Sequence, residues 1–340
     1  MTNIVNREIC LKNRPVGIPD ESDFEIVEIT IPEPKDGEVL VRNIYMSEDP
    51  YMRGGMRNPE LGKPLTGGCV GQVVQSRADE FQAGDYVLGS LGWREYYISP
   101  AKNVTAIDRT IAPIQSFLGA VGMPGRTAYV GLLDIGHPKA GETVFVSAAS
   151  GAVGAIVCQI AKIKGCRVVG SVGSDQKVNW LVEKAGIDAA FNYKKVDNLE
   201  EELRRHCPDG IDVYFENVGR EHLEAAIALM NIHGRIPLCG MISHYNDSEP
   251  NTGPKNLISA VGKRLKLQGF IVSDHAHRVA DFYADMRQWI NEGKIQWEET
   301  IIDGLENAPK AFAGLFRGEN MGKMMSRLGK RKSNDREELR

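Results

Sequence analysis

The eight residues Ser147-Ala-Ala-Ser-Gly-Ala-Val-Gly154 constrain this chain more than any other stretch. An apolar strand candidate, Thr143–Val146, runs into them. A helical pattern with Ile156, Ile160 and Ile163 on one face runs out. Strand, glycine turn and helix in that order separate a phosphate cradle from a chance pair of glycines. Gly151 permits a tight turn and a close approach of backbone to ligand, and Gly154 lets the helix pack against the sheet. The first turn of the helix leaves N–H groups unpaired. Together with the helix dipole they favour an anion, here the pyrophosphate of a dinucleotide. The spacing is A-x-x-G-x-x-G rather than G-x-G-x-x-G, so the flanking pattern carries the assignment.

That pattern continues downstream. Arg167–Val172, Ala189–Asn192, Ile211–Glu216, Arg235–Gly240 and Leu265–Val272 read as further strands. Helical stretches Gln176–Ala185, Asn198–His206 and Glu221–Met230 lie between them. Alternation at this spacing predicts βαβ units and an α/β, doubly wound parallel sheet of Rossmann type. Short, nearly continuous apolar strands fit a sheet buried on both faces. The second strand bears on which dinucleotide is bound. An NAD site places Asp or Glu there, about 20 residues after the glycines. Here Gly173 and Ser174 stand in that place, and Lys177 follows one helical turn on. A missing carboxylate removes repulsion of a 2′-phosphate and a lysine adds attraction, which favours NADP. The plainer alternative makes Lys177 a solvated helix lysine with Asp175 as the cap.

At 340 residues the chain has room for two domains. Its net charge of −4 gives no reason to expect nucleic acid or an acidic membrane surface as a partner. No run approaches the roughly 20 apolar residues of a membrane span. The N-terminus carries no apolar signal core. Cys10, Cys69, Cys158, Cys166, Cys207 and Cys239 are scattered with no C-x-x-C pair, as suits a reducing, cytoplasmic setting. Before residue 125 the texture changes. Phe24–Ile31, Val39–Tyr45, Gly71–Gln75, Tyr86–Gly89 and Trp93–Ile98 are short strand candidates separated by Pro, Gly and Asp turns. The expected division is a β-rich, barrel-like domain from 1–125 and 301–328, interrupted by a dinucleotide-binding domain over 126–300. Ligand pockets favour clefts between domains, so the active site is expected there. A disordered charged tail is expected over 329–340.

Several separated motifs resemble one family: Ser47-Glu-Asp-Pro-Tyr-Met-Arg53, Gly122-Met-Pro-Gly-Arg-Thr-Ala-Tyr129, Ala148-Ala-Ser-Gly-Ala-Val-Gly154, Glu216-Asn-Val-Gly219, Cys239-Gly-Met-Ile-Ser-His-Tyr-Asn246, Leu267-Gln-Gly-Phe270 and Gly318-Glu-Asn-Met-Gly-Lys323. In this order they resemble the zinc-independent medium-chain dehydrogenases/reductases. Within these the likeness is to the NADPH-dependent alkene reductases of the prostaglandin reductase and leukotriene hydroxydehydrogenase group, and most of all to the bacterial curcumin reductases and plant alkenal reductases. It covers roughly residues 7–328. The resemblance implies a GroES-like β-rich domain beside the Rossmann sheet, NADPH as cofactor, and a homodimer joined through the sixth-strand edge. It implies that Gly151, Ala152, Val153 and Gly154 lie under the pyrophosphate and that Lys177 and Tyr193 lie on the 2′-phosphate side. Asn217 and the loop Cys239, Gly240, Met241, Ile242, Ser243, His244 and Tyr245 would run along the cofactor. Phe270, Ile271 and Val272 would lie near the nicotinamide, Met123, Gly125 and Thr127 would line its pocket, and Asn320 would reach the cofactor. Tyr51 and Tyr245 would be the catalytic tyrosines of the substrate site.

Two departures from relatives stand out. Zinc alcohol dehydrogenases of the superfamily carry a Cys after the second strand and a Gly-His-Glu about 20 residues later. This chain has Ile44-Tyr-Met-Ser-Glu-Asp and Thr66-Gly-Gly-Cys-Val-Gly71 there. A catalytic zinc takes three protein ligands, so no metal is expected. Where several relatives carry a tyrosine before the sixth strand, this chain has Val261-Gly-Lys-Arg264, with Gly262 in the tyrosine's place. With no Lewis acid to polarise a carbonyl, a conjugated C=C is the easier target. Hydride adds to the β-carbon of an enone or enal, and the resulting enolate is held by positioned donors such as Tyr51 and Tyr245 or the cofactor's ribose hydroxyl. Two alternatives stand beside this expectation: a quinone reductase on the same scaffold, and a non-enzymatic NADPH-binding protein. Asp274 or Ser273 is expected to cap the helix after the sixth strand, rather than to join His275 and His277 at a metal.

Overall fold

The computed structural model describes residues 4–249 and 252–329. Its contacts gather the described residues into two units. One comprises 4–118, 299–320 and 324–329, and the other 119–298 and 321–323. The joins fall at 118/119 and 298/299, against 125/126 and 300/301 from the sequence. The turn before the first long helix goes with that helix, because the Gly125 and Gly122 amides both donate to Gly119 O, at 3.1 and 3.0 Å. From residue 330 the expected charged tail lies outside the described residues.

In the first unit β1 (Ile4–Leu11) pairs antiparallel with β2 (Phe24–Ile31). Next come β3 (Glu38–Ser47), the short α1 (Met52–Gly55), β4 (Cys69–Ser76), β5 (Tyr86–Gly89), β6 (Tyr96–Pro100) and β7 (Thr105–Ala106). The second unit opens with α2 (Met123–Val130), which runs on into a π-helical turn, Gly131–Gly136. There follow β8 (Thr143–Ser147), α3 (Gly154–Ile163), β9 (Arg167–Val172), α4 (Asp175–Glu183), β10 (Ala189–Asn192), α5 (Leu199–His206), β11 (Ile211–Phe215), α6 (Arg220–Leu229), β12 (Met230–Leu238), α7 (Ser259–Lys263), β13 (Lys266–Gly269) and α8 (Val279–Asn291). The chain then returns to the first unit through β14 (Glu299–Asp303), α9 (Ala308–Arg317) and β15 (Lys323–Arg327).

The first unit's larger sheet runs β14-β15-β3-β4-β5-β7, with β6 also on β3. The late strand β15 joins this sheet at β3, where Met325 pairs with Ser47 and Ser326 with Met46. Trp93 anchors the core. It is fully buried, stacked on Phe24 at 5.9 Å and met edge-on by Phe312 of α9 at 5.8 Å. The fifth strand of this half was expected at Trp93–Ile98. It begins only at Tyr96, because Trp93 takes a left-handed φ of 64° to point its indole inward. β1 was not expected: Glu8 is a charge in a buried strand. It is held by Arg94 at 3.5 Å, while Arg7 pairs with Glu95 at 2.5 Å.

The second unit's sheet is all parallel, in the order β10-β9-β8-β11-β12-β13. Numbered from β8 as first strand this is 3-2-1-4-5-6, the doubly wound order, and its switch point lies between β8 and β11. Every residue of β8 is buried, as a central strand covered on both faces requires. Phe145 stacks on Tyr214 at 4.9 Å and on Phe191 at 6.4 Å. The sixth strand is shorter than Leu265–Val272. It stops at Gly269, and a 3-10 run, Val272–Arg278, leads into α8. Neither Ser273 nor Asp274 caps that helix, since its N-cap is Arg278 and no side chain bonds there. Among the described residues no helix is long and apolar enough to cross a membrane.

β13 ends the sheet, and its outer edge presents unpaired backbone groups. Beside it Ile258 is 78 % exposed, Val261 73 % and Ile271 65 %, with Leu257 also exposed. An open edge flanked by bare apolar side chains calls for cover, and the family resemblance leads us to expect a second copy there, under two-fold symmetry. Light scattering should therefore give about twice the 37.5 kDa chain mass. Ile258→Glu with Val261→Glu should shift it toward monomer. A wild-type mass of one chain at all concentrations would contradict this.

Candidate cofactor and substrate site

The glycine turn has the geometry the sequence implied. β8 ends at Ser147, and Ala148 then adopts a φ of +48°, reversing the chain in one residue. The Gly151 amide donates back to Ala148 O at 3.0 Å, and α3 starts at Gly154. A Cβ at Gly154 would come within 2.4 Å of Ala148 O, so no side chain fits. At Gly151 the one close atom would be that same oxygen, at 3.2 Å, which leaves the turn open above. No side chain caps α3 at Val153. The Ala155 and Ile156 amides of the first turn donate to Gly151 O and Val153 O, at 3.0 and 3.1 Å, and the positive end of the helix dipole, with no side chain over it, favours an anion as a pyrophosphate site needs. These features fit the dinucleotide without adjustment. Ala152 shares a shallow crevice with Gly151, Ala120, Trp297 and Gly322.

Ser147 ties this turn to the neighbouring strand. Its Oγ accepts from the Tyr214 hydroxyl and from the Asn217 amide, both at 3.0 Å, and its carbonyl accepts from Asn217 Nδ2 at 2.7 Å. Glu216 is fully buried beside it. One carboxyl oxygen accepts from the Val218 and Gly219 amides at 2.5 and 2.9 Å. Burial holds this carboxyl above the usual range, against the pull of those amides. Asn217 is thereby fixed at the strand end, and it in turn holds the next loop. The Ile242 and Ser243 amides donate to the carbonyls of Asn217 and Val218, each at 3.1 Å, and Ser243 Oγ donates to Val218 O at 2.6 Å. Cys239 and Gly240 both donate to Glu216 O. The whole Cys239–Tyr245 segment is thus stapled to the end of β11.

Tyr245 closes that segment. Its hydroxyl lies over Gly240, where a Cβ would be 2.7 Å from it. Burial holds the hydroxyl protonated above the usual phenol range, although the Met241 amide pulls the other way. At neutral pH it is an O–H donor polarised by a backbone N–H. His244 Nδ1 meets Asp247 at 3.0 Å, and Arg220 meets that carboxylate's other oxygen at 2.5 Å, so His244 belongs to a hydrogen-bonded cluster that locks the loop. Burial pushes the Cys239 thiol up to about 12, which leaves it unreactive. Phe270 packs edge-on to Phe215 at 6.4 Å and against Gly131, at the same end of the sheet. Ile271 and Val272 follow it out of β13. On α2, Thr127 Oγ1 donates to Met123 O at 2.8 Å, which leaves both side chains half-buried on one face. Gly125 sits where a Cβ would overlap Ala120 O.

At the end of β9 the cap of α4 is Ser174, whose Oγ accepts from the Lys177 amide at 3.4 Å, and not Asp175. Asp175 instead bonds Asn192 at 2.8 Å and Lys195 at 2.5 Å. Lys177 is half-buried and Tyr193 stands near Gly173, with its ring edge-on to His222 at 5.0 Å. Lys194, beside Gly173 as well, is a residue the sequence reading did not single out. His222 is another. It is buried on α6, and its Nε2 has no hydrogen-bond partner among the described residues. Tyr51 and Asn320 belong to the first unit. Tyr51 is 54 % exposed at the start of α1, and crowding around the ring, with Asp49 nearby, keeps its hydroxyl protonated.

Burial pushes His222 down to about 4 from an ordinary 6.5. Between those values the unfolded chain binds a proton that the folded one refuses. Stability therefore falls as pH drops through that window, by on the order of 3 kcal/mol from this group. Urea unfolding of wild type and His222→Phe at pH 7 and pH 4.5 should show a smaller acid loss in the variant. Equal losses would mean that His222 does not titrate in this way.

Residues 7–107 match a family model described as the N-terminal domain of oxidoreductase, and residues 152–292 one described as zinc-binding dehydrogenase. The NADPH-dependent curcumin reductase of Escherichia coli is 44 % identical over 336 residues, covering 95 % of this chain and 97 % of that protein. The NADP-dependent 2-alkenal reductase of Nicotiana tabacum is 45 % identical over 335 residues, with the same coverage. The crystal structure of CurA from Vibrio vulnificus in complex with NADPH superposes with a TM-score of 0.90 at 43 % identity, over 96 % of this chain and all of that one. The chain belongs to the medium-chain dehydrogenases/reductases and, within them, to the NADP-dependent alkenal and prostaglandin reductase group.

Proposed function

We propose that this protein reduces the C=C bond of α,β-unsaturated ketones and aldehydes with NADPH. The observation that carries this reading is Tyr245: a protonated, half-buried hydroxyl on a loop stapled to the cofactor-binding strand ends. Ligands of a doubly wound sheet bind at that carboxyl edge. Bound there, NADPH supplies a hydride to the β-carbon of the substrate. The chain's own task is then to hold the charge that arrives on the carbonyl oxygen, for which one aimed O–H donor in a drier setting is the direct means. The Met241 amide, donating to the Tyr245 oxygen, strengthens that O–H. Tyr51 is the second hydroxyl in this reading. The proton for the α-carbon comes from solvent, directly or through a hydroxyl.

On the cofactor side, Gly151–Gly154 and the start of α3 hold the pyrophosphate, and Asn217 with Cys239–Tyr245 line its course. Met123, Thr127 and Phe270–Val272 flank the nicotinamide, Asn320 adds a contact, and Lys177 and Tyr193 meet the 2′-phosphate. The reading uses no metal. Among the described residues, no three His, Cys, Asp or Glu side chains cluster as ligands would.

Substituting Tyr245→Phe removes one oxygen and keeps the ring. Turnover on an open-chain enone should fall roughly ten-fold or more, with the KM for NADPH nearly unchanged. Turnover on a quinone, which needs no oxyanion donor of this kind, should fall less. Wild-type enzyme that reduces quinones but not enones, or full enone turnover in the variant, would overturn the proposal.

A further inference from the structure

The chain leaves β9 through Gly173 and Ser174, where a carboxylate for ribose hydroxyls is absent. Gly173 itself is hemmed in from the neighbouring strand. A Cβ there would meet Lys194 Cε at 3.2 Å, the Tyr193 hydroxyl at 3.4 Å and Lys194 Nζ at 3.5 Å. The Lys194 ammonium therefore lies directly on the strand end, although the residue is exposed in the turn after β10. That turn is fixed. Asn192 Oδ1 accepts from the Lys194 amide at 3.1 Å, and Asn192 Nδ2 donates to Asp175 at 2.8 Å.

The acid of this neighbourhood is already occupied. The second oxygen of Asp175 holds Lys195 at 2.5 Å. No carboxylate among the described residues pairs with Lys194. Lys177 stands half-buried in the first turn of α4, which follows this strand end. Burial, and after it the positive charge of Lys194, hold the Lys177 ammonium below the usual lysine range. The two ammonium charges repel each other. A doubly charged anion between them reverses the sign of that interaction and accepts from both.

We propose that Lys194 is a second cation for the ribose 2′-phosphate, acting with Lys177 across Gly173, and that this pair sets the preference for NADPH over NADH. His222 is a positioning residue in this arrangement. Its ring edge meets Tyr193 at 5.0 Å and holds the phenol over the gap. The inference rests on the assignment of this strand end to the adenosine ribose.

The test compares two probes that differ only by the phosphate in question, adenosine 2′,5′-bisphosphate and adenosine 5′-monophosphate, by titration calorimetry on the full chain. Wild type should bind the bisphosphate more tightly. Lys194→Met should weaken the bisphosphate by roughly ten-fold or more, as loss of a charge-assisted bond implies, and the monophosphate by less than about two-fold. Lys194→Arg, which keeps the charge, should restore most of the difference. A Lys194→Met variant that keeps the wild-type preference overturns the role of Lys194 and leaves the cofactor reading intact. An equal loss for both probes also overturns it, because the effect would then be structural. Wild type with no preference for the bisphosphate would instead defeat the assignment of this strand end.

Discussion

Ser147 is the contact on which the rest of the site depends. It is the last residue of the central strand, and its hydroxyl and carbonyl together take three hydrogen bonds from Tyr214 and Asn217 of the next strand. Those bonds lie at the switch point of the sheet, where β8 and β11 diverge toward helices on opposite faces. They hold two chain reversals at a fixed separation: the glycine turn after β8 and the Glu216–Gly219 turn after β11. The second turn then holds the Cys239–Tyr245 segment through backbone bonds and the Ser243 hydroxyl. The position of the Tyr245 hydroxyl thus derives, step by step, from one buried serine. Removing that serine would loosen the phosphate cradle and the tyrosine together.

The charges around this frame are arranged by burial. Where the chain itself must stay neutral, apolar packing suppresses ionisation: His222, Cys239, Tyr214 and Tyr245 are all held in their uncharged forms. Where an anion is to be met, the chain leaves its own partners out. α3 has no side-chain cap, and Lys194, at the strand end by Gly173, pairs with no carboxylate among the described residues. Both ends of the proposed cofactor path therefore show the same logic. A positive potential is built in, and its counter-charge is not supplied by the fold.

Much of this was legible in the sequence. Helices α4, α5 and α6 fall within one or two residues of their expected spans, because apolar periodicity marks all three, and Ser174 and Asn198 cap the first two. The glycine turn was legible because only glycine fits at Gly154. Other features depended on distant partners. β1 hides behind Glu8, whose cation Arg94 is far along the chain. β12 begins at Met230, earlier than expected, since a left-handed His233 and the side-chain-free Gly234, over which Met230 folds, interrupt its pattern. Lys194 was missed because nothing in the sequence sets it apart from Lys195, which is the one engaged by Asp175.

The central claim is that the chain positions a hydride acceptor by its carbonyl oxygen so that the β-carbon, not the carbonyl carbon, is reduced. The fate of deuterium from 4-deuterated NADPH, followed by NMR of the product of an acyclic enone, tests this most directly. The account predicts a saturated ketone carrying deuterium at the β-carbon and a solvent-derived hydrogen at the α-carbon. Deuterium at the carbonyl carbon, with the C=C bond intact in an allylic alcohol, would contradict it.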